Sequence, residues 1–398
     1  MRVLLRFVRR LFVAVLVLIV LMIGAVAFAL YDPLSGGGHF MERADLIVAP
    51  AGTQSPAPAE PTVQATDAPA QAALALRYQP TVVVSALDRF WPVSLQAVLS
   101  ERWRGRETCL VITGRCRTRA PTLADLSGRA TRGDYLRYAA PVDDAQASFL
   151  TFAAALGIPE GILRLWPLHL GQVDPFRSAQ IYFHELPRTT RHSYPGLPAG
   201  LISLEYWCFY PLNYFPLVRI PLEALSNPIG STLGNTDYHQ GDLEHVAVLL
   251  DPRTMRPRYL WMARHADEGE AFRWHSRQVQ WDGDHATIYV ALGSHASYAH
   301  CGIQRRSRTY EFINDYVPCL SHETYGFLWN RTPLVDLDHT DWGCWRGHLG
   351  EAGPGLRQGA VGLAPYETAG PYSPLLQGEN FATTCHVSPS APKPASPL

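Results

Sequence analysis

The side chains best suited to chemistry crowd one stretch, Asp237-Tyr238-His239-Gln240-Gly241-Asp242-Leu243-Glu244-His245, which runs into the apolar segment Val246 to Leu250. With residues 242 to 250 extended, alternation places Asp242, Glu244, Val246 and Val248 on one face. Leu243, His245, Ala247 and Leu249 fall on the other. Carboxylates two residues apart on a strand have Cα atoms about 7 Å from each other, so both can reach one cation or one water. His239 would add an imidazole nitrogen from the preceding loop. Oxygen donors with one nitrogen suit Mn²⁺, Zn²⁺, Mg²⁺ or Ca²⁺, in falling order of how readily each accepts nitrogen. His239, Asp242 and Glu244 are therefore the candidate metal ligands, with His245 as a second-layer or acid/base group. The competing structural reading has Asp242 and Glu244 capping loop amides and pairing with arginines, and His245 packed in the core.

His295 lies among small neighbours in Gly293-Ser294-His295-Ala296-Ser297, where an imidazole can either face the acidic pair or serve a tight turn. Ser294 beside it lacks the Gly-x-Ser-x-Gly elbow of a serine hydrolase. His184-Glu185 has no second histidine four residues on, as the zinc-protease helix motif requires. Cys208 sits in the apolar run Tyr206-Trp207-Cys208-Phe209-Tyr210, with nothing nearby to lower its pKa, and reads as packing. That aromatic run could line a glycan or lipid-headgroup pocket, although core packing accounts for it more simply.

Strand signals dominate the elements that must position these groups. Gln180–Leu186, Leu201–Phe215, His245–Leu250, Arg258–Arg264, Arg277–Trp281 and Ala286–Leu292 are rich in Ile, Val, Tyr, Phe and Trp. Asp282-Gly283, between the last two, suits a tight hairpin turn. Ala145 to Leu156 is the main helical segment, with Asp143 and Asp144 ahead of it. The 32 prolines and 31 glycines fit long loops between short strands. The expected fold is mainly β, an antiparallel β-sandwich with long loops and a few short helices, preceded by one N-terminal transmembrane helix.

That helix is read from Leu11 to Leu30, an unbroken apolar run long enough to cross the roughly 30 Å hydrocarbon core of a bilayer. Arg2, Arg6, Arg9 and Arg10 precede it, so the N-terminus (residues 1–10) is expected in the cytoplasm and the main domain outside. The alternative is a cleaved secretory signal, since Ala25-Val26-Ala27 and Ala27-Phe28-Ala29 offer small residues at cleavage spacing. Residues 31–73 follow as a tether rich in Pro and Ala, 74–386 as one domain, and 387–398 as a disordered tail. A formal net charge of −1 argues against a nucleic-acid partner. Seven cysteines in an oxidising compartment allow three disulfides. The pairs favoured are Cys109–Cys116, Cys301–Cys319 and Cys344–Cys385, with Cys208 left over.

The order Arg77-Tyr78-Gln79-Pro80, Asp88-Arg89-Phe90-Trp91-Pro92-Val93-Ser94, Glu205-Tyr206-Trp207, Asn213, His239-Gln240-Gly241-Asp242-Leu243-Glu244-His245 and Gly293-Ser294-His295-Ala296-Ser297-Tyr298 resembles the Vps62 family. Trp342-Gly343-Cys344-Trp345-Arg346-Gly347-His348-Leu349-Gly350 and Gly370-Pro371-Tyr372-Ser373-Pro374 extend the resemblance over most of residues 77 to 376. Leu243 stands where that family has Trp. The central motif is also similar to the Gly-His-Arg-His-Asp-Trp-Glu heptapeptide of necrosis- and ethylene-inducing cytolysins. Those are β-sandwiches that hold a divalent cation near a membrane-facing loop. His239, Asp242 and Glu244 fall on its first His, its Asp and its Glu, while Gly241 and Leu243 replace its second His and its Trp. The resemblance implies a domain that binds a divalent cation and, with it, a glycan or lipid headgroup, and the N-terminal segment makes that domain a tethered, extracytoplasmic one. Two alternatives stand beside it. One is a metal-dependent hydrolase of an envelope ester, phosphodiester or glycan, in which Glu244 or His295 moves protons. The other is a structural envelope protein.

Overall fold

The computed structural model describes residues 47–48, 68–139, 178–214, 238–304, 315–317, 324–351, 370–377 and 385, less positions 86–87, 89, 104, 128–129 and 265–268. The segment 11–30 and the helix expected over 145–156 lie outside them. Among the described residues no helix is long and apolar enough to cross a membrane.

Strand dominates, as the β-branched and aromatic runs predict. One six-stranded sheet sets β12 (Gly269–Arg273), β11 (Pro257–Ala263), β10 (Tyr238–Leu250), β9 (Ile202–Tyr214), β8 (Ile181–Leu186) and β19 (Leu334–Asp336) side by side. The other orders β1 (Ile47–Val48), β18 (Thr324–Phe327), β2 (Thr81–Ser85), β14 (His285–Val290) and β13 (Trp281–Asp282), with β15 (Ser297–Tyr298) also paired to β14. Three small sheets join β6 (Arg115–Arg119), β5 (Cys109–Ile112) and β7 (Tyr135–Arg137), then β3 (Arg102–Trp103) with β4 (Arg106–Glu107), and β16 (Gly302–Gln304) with β17 (Asp315–Val317).

The sheets are mixed rather than purely antiparallel. β1 runs parallel to β18, β2 to β14, and β8 to β19. The reason lies in chain distance: about two hundred residues separate β2 from β14, ample for the long crossover a parallel pair needs. Ile47–Val48 lies inside the segment read as a tether, and it closes one edge of its sheet by pairing with Tyr325 and Gly326.

The two large sheets share one core. Val82 and Val84 of β2, Ile288 and Val290 of β14 and Phe327 of β18 meet Phe183, Leu204, Tyr206, Tyr210, Val246, Val248 and Met262 from the facing sheet. Each fully buried Val or Leu contributes about 1.5–3 kcal/mol, so this shared layer holds the sheets face to face. The far face of the β8–β12 sheet is covered as well. Tyr182, Trp207, Phe209 and Leu243 pack there against Leu110, Leu136, Trp342, Trp345 and Leu349. Helix α1 (Ala68–Tyr78) ends just before β2, and its Ala75 and Tyr78 enter the shared core. Helix α2 (Leu95–Leu99) starts at Ser94, whose hydroxyl accepts the Ala97 amide at 3.1 Å. Its Leu95, Val98 and Leu99, at helical spacing, fill the second layer.

Two disulfides lie within the described residues, Cys109–Cys116 and Cys344–Cys385. Cys301 is also bonded, and position 319 lies outside the described residues. Cys208 is a buried free thiol.

Candidate functional site

β10 pairs with β9 along its length, with Asp242 opposite Tyr210, Glu244 opposite Cys208 and His245 opposite Trp207. The alternation read from sequence holds from Asp242 onward. Val246, Val248, Cys208 and Tyr210 belong to the shared core, whereas Leu243 and Trp207 belong to the second layer. It breaks just before. Gln240 Oε1 accepts the amide of Tyr138, a second-layer residue, although Gln240 and Asp242 are two apart. Between them Gly241 has φ +68, and a Cβ there would lie 2.3 Å from the Leu349 carbonyl oxygen. Only glycine takes this turn, so Gln240 and Asp242 reach opposite sides of the sheet.

On the core side Asp242 meets His295. The imidazole Nδ1–H donates to Asp242 Oδ2 at 2.7 Å, and its Nε2 lies 3.5 Å from Asp88 Oδ2. Asp242 Oδ1 accepts the Leu243 amide at 2.9 Å. Asp88 accepts the amides of Phe90 and Gly293 at 3.0 and 2.9 Å. The His295 ring stacks on Tyr210 at 4.0 Å and 5° and has no exposed surface. Burial pushes its pKa down, but the charges of Asp88 and Asp242 and the hydrogen bonds to them outweigh this and raise it to about 9. At neutral pH an imidazolium therefore lies between two carboxylates. His295 adopts φ +55, a left-handed conformation uncommon outside glycine. Alongside, Asp315 accepts the hydroxyls of Ser294 and Tyr298.

His239 is held differently. Its Nδ1–H donates to the Gly241 carbonyl at 2.6 Å, which leaves Nε2 to accept from Asn213 Nδ2 at 3.0 Å. Glu244 is half-buried on the Asp242 face. His245 is carried to the opposite face, where its ring stacks on Trp207 at 4.2 Å. Burial lowers its pKa, against the opposing charge of Glu205. A second polar cluster shares that side of the sheet. Glu205 accepts from Tyr194 Oη at 2.9 Å and Trp207 Nε1 at 3.1 Å, and His184 Nδ1–H donates to Asp338 at 2.7 Å.

The structure thus brings Asp242 and His295 together and places Glu244 on their side, while His239 is tied to Asn213 and His245 lies across the sheet. Among the described residues no group of three or more His, Cys, Asp or Glu is placed to hold a metal ion. The donor set of Asp242, Glu244 and His239 suits a hard divalent cation in kind. In position, both Asp242 oxygens are engaged, Oδ2 by His295 and Oδ1 by the Leu243 amide. Asp88 stands out in the sequence only as part of a longer motif. Its signal is that of an isolated acid at the end of an apolar strand, two residues before Phe90-Trp91.

Both His295 nitrogens face carboxylates in this site. Ser294 donates its hydroxyl to Asp315. Burial pushes the Cys208 thiol up to about 12, leaving it unionised and unreactive.

No family model and no curated protein matches the chain. The Vps62 resemblance therefore rests on the short motifs alone. Among solved structures the chain is similar to one described as a toxin fold for microbial attack and plant defense, at TM-score 0.31 and 13% identity over 70% of this chain and 79% of that one. It is also similar to necrosis and ethylene inducing protein 2 from the causal agent of cocoa's witches' broom disease, at TM-score 0.28 and 12% identity over 75% and 84%. A third is NLPPya in complex with mannosamine, at TM-score 0.28 and 14% identity over 74% and 84%. The likeness is distant, and the reading of the site stands on its own geometry.

Proposed function

We propose that the folded part of this chain is a binding domain that takes up a divalent cation and, with it, a glycan or lipid headgroup at the Asp242 end of the β9–β10 face. One observation carries this reading: Asp88 and Asp242 flank a buried His295, with Glu244 on the same side of β10. A buried concentration of carboxylate needs positive charge, and in the free domain the imidazolium supplies it. Asp242 and Glu244 would hold an incoming cation, with His239 Nε2 as the nitrogen donor, once Asp242 gives up its bond to His295 and His239 its bond to Asn213. When bound, the ion supplies a positive centre for hydroxyl or phosphate oxygens of the ligand. The chain's own residues bind and orient. The segment 11–30 is proposed to anchor or export the domain, which places the site outside the cytoplasm.

The test is metal analysis and thermal unfolding of the full chain with Ca²⁺, Mg²⁺, Mn²⁺ or Zn²⁺ in turn, and with chelator. Saturation at a hundredfold over Kd adds about 2.7 kcal/mol of stability. That increment should appear in the wild type and vanish in the Asp242→Asn/Glu244→Gln variant. Negligible metal in both proteins, with no chelator effect on either, rejects the reading in favour of a structural cluster.

A further inference from the structure

We propose that the opposite end of the domain, formed by the end of α1, the turn between β10 and β11 and the segment between β12 and β13, docks on an anionic lipid bilayer. Among the described residues two large apolar side chains stand exposed, Leu76 at 51% and Met255 at 39%. Both lie at this end. Leu76 is next to Arg77 on α1, and the Tyr78 hydroxyl that follows feels the charges of Arg77, Asp284 and Arg256, the last adjacent to Met255. The Tyr78 ring meets Trp274 edge-on at 5.5 Å, and Trp274 in turn meets Trp281 at 4.6 Å. Both tryptophans are half-buried, and Trp281 is fixed by its indole hydrogen bond to the Ser276 carbonyl at 2.9 Å. The His275 ring lies against both, and amphipathic rings that are partly in the core and partly exposed are the side chains favoured at a membrane–water interface.

Charge at this end matches an anionic surface. Arg77, Arg253, Arg256, Arg258, Arg273 and Arg277 are all exposed. The acids among the same turns are Asp251, paired with Arg258, Asp284, paired with Arg77 and His275, and Asp282, which accepts the indole of Trp329. Arginine exceeds aspartate here, although the whole chain carries a formal net charge of −1. The turn also presents its apolar tip at a conformational cost. Met255 adopts φ +53, where glycine or asparagine would sit more easily, and the turn is held by Met255 N–H to Asp251 O at 2.8 Å and Asp251 N–H to Arg256 O at 2.9 Å.

This face is distinct from the acidic site. Asp242 and Leu250 lie at opposite ends of the straight part of β10, about 26 Å apart at strand rise. Access to a bilayer rests in part on reading 11–30 as a membrane segment. The stretch from Tyr31 to Leu46 spans about 50 Å when extended, longer than the strands of the domain, so this end can reach the surface.

The experiment reconstitutes the full chain carrying Met255→Cys, labelled with an environment-sensitive fluorophore, into vesicles of phosphatidylcholine with or without phosphatidylglycerol. Cys208 is buried and does not compete for the label. Brominated lipid should quench the probe in the phosphatidylglycerol vesicles, and high salt should reverse the quenching. The Arg253→Glu/Arg256→Glu/Arg277→Glu variant should weaken it by about tenfold or more. Equal quenching in both vesicles, or quenching unmoved by salt and by charge reversal, overturns the proposal. No quenching in either, as expected of a face covered by a protein or glycan instead, overturns it too. The salt arm uses unreversed arginines, so a variant that folds poorly leaves the test intact. Asp242 and Glu244 take no part, so failure here is separable from failure of the cation site.

Discussion

His295 couples protonation to folding. Its folded pKa of about 9 lies above the ordinary value of about 6.5, so the proton is held more tightly in the folded state. The stabilisation is complete below about pH 6.5 and is lost as pH rises through about 9. A shift of this size corresponds to about 3 kcal/mol. We expect stability measured by urea denaturation in chelator to fall over that window, and His295→Gln to flatten the profile while lowering stability at neutral pH. A wild-type profile level from pH 6 to about 9.5 would refute the assignment of charge to this ring. The candidate site was partly legible at this scale. Asp242 and Glu244 on one face followed from alternation, and His295 stood out among small residues. Its partnership with Asp88 did not, because two hundred residues separate them and the parallel pairing of β2 with β14 is what brings their loops together.

Among the elements, β10 depends on Gly241. The residue combines positive φ with a backbone oxygen in the space a methyl would fill, so Gly241→Ala should cost more than about 2 kcal/mol and detach Gln240 from Tyr138. Gly283 is the control. Its φ is similar, +63, but no atom lies within 4 Å of the place a Cβ would take, so Gly283→Ala should cost about 1 kcal/mol. Equal losses in chemical denaturation would show that close approach at Gly241 carries no weight. Of the six runs read as strands, Gln180–Leu186, Leu201–Phe215, Arg258–Arg264 and Ala286–Leu292 fall within two residues of observed ends, since aromatic and β-branched runs with one or two buried faces leave little choice. His245–Leu250 starts seven residues late against Tyr238–Leu250, and the short strands elsewhere carry too few residues to show a pattern. Arg277–Trp281 reads as a strand, yet only Trp281–Asp282 pairs, because Ser276 and Val279 spend their amides on turn carbonyls. The hairpin loop falls on Gly283-Asp284, one residue later than expected.

For the whole molecule, cross-links and layers set stability. Cys344–Cys385 spans 41 residues and Cys109–Cys116 spans 7. Loop-closure entropy makes the first worth about 4 kcal/mol and the second about 2.5. The Cys344→Ala/Cys385→Ala variant should therefore lose more stability in denaturant than Cys109→Ala/Cys116→Ala, and a reversed order would contradict the ranking. The mainly β class was visible in composition and pattern. The second packed layer was not, since Trp342, Trp345 and Leu349 sit in a segment with little regular structure and no periodicity. The short strand Ile47–Val48 has a consequence for shedding. A proteolytic cut anywhere between Leu30 and Ile47 would free the domain from its apolar leader yet leave the edge of β18 covered. If residues 11–30 anchor the chain as proposed, retained and shed molecules would then share one fold, with β18 paired in both.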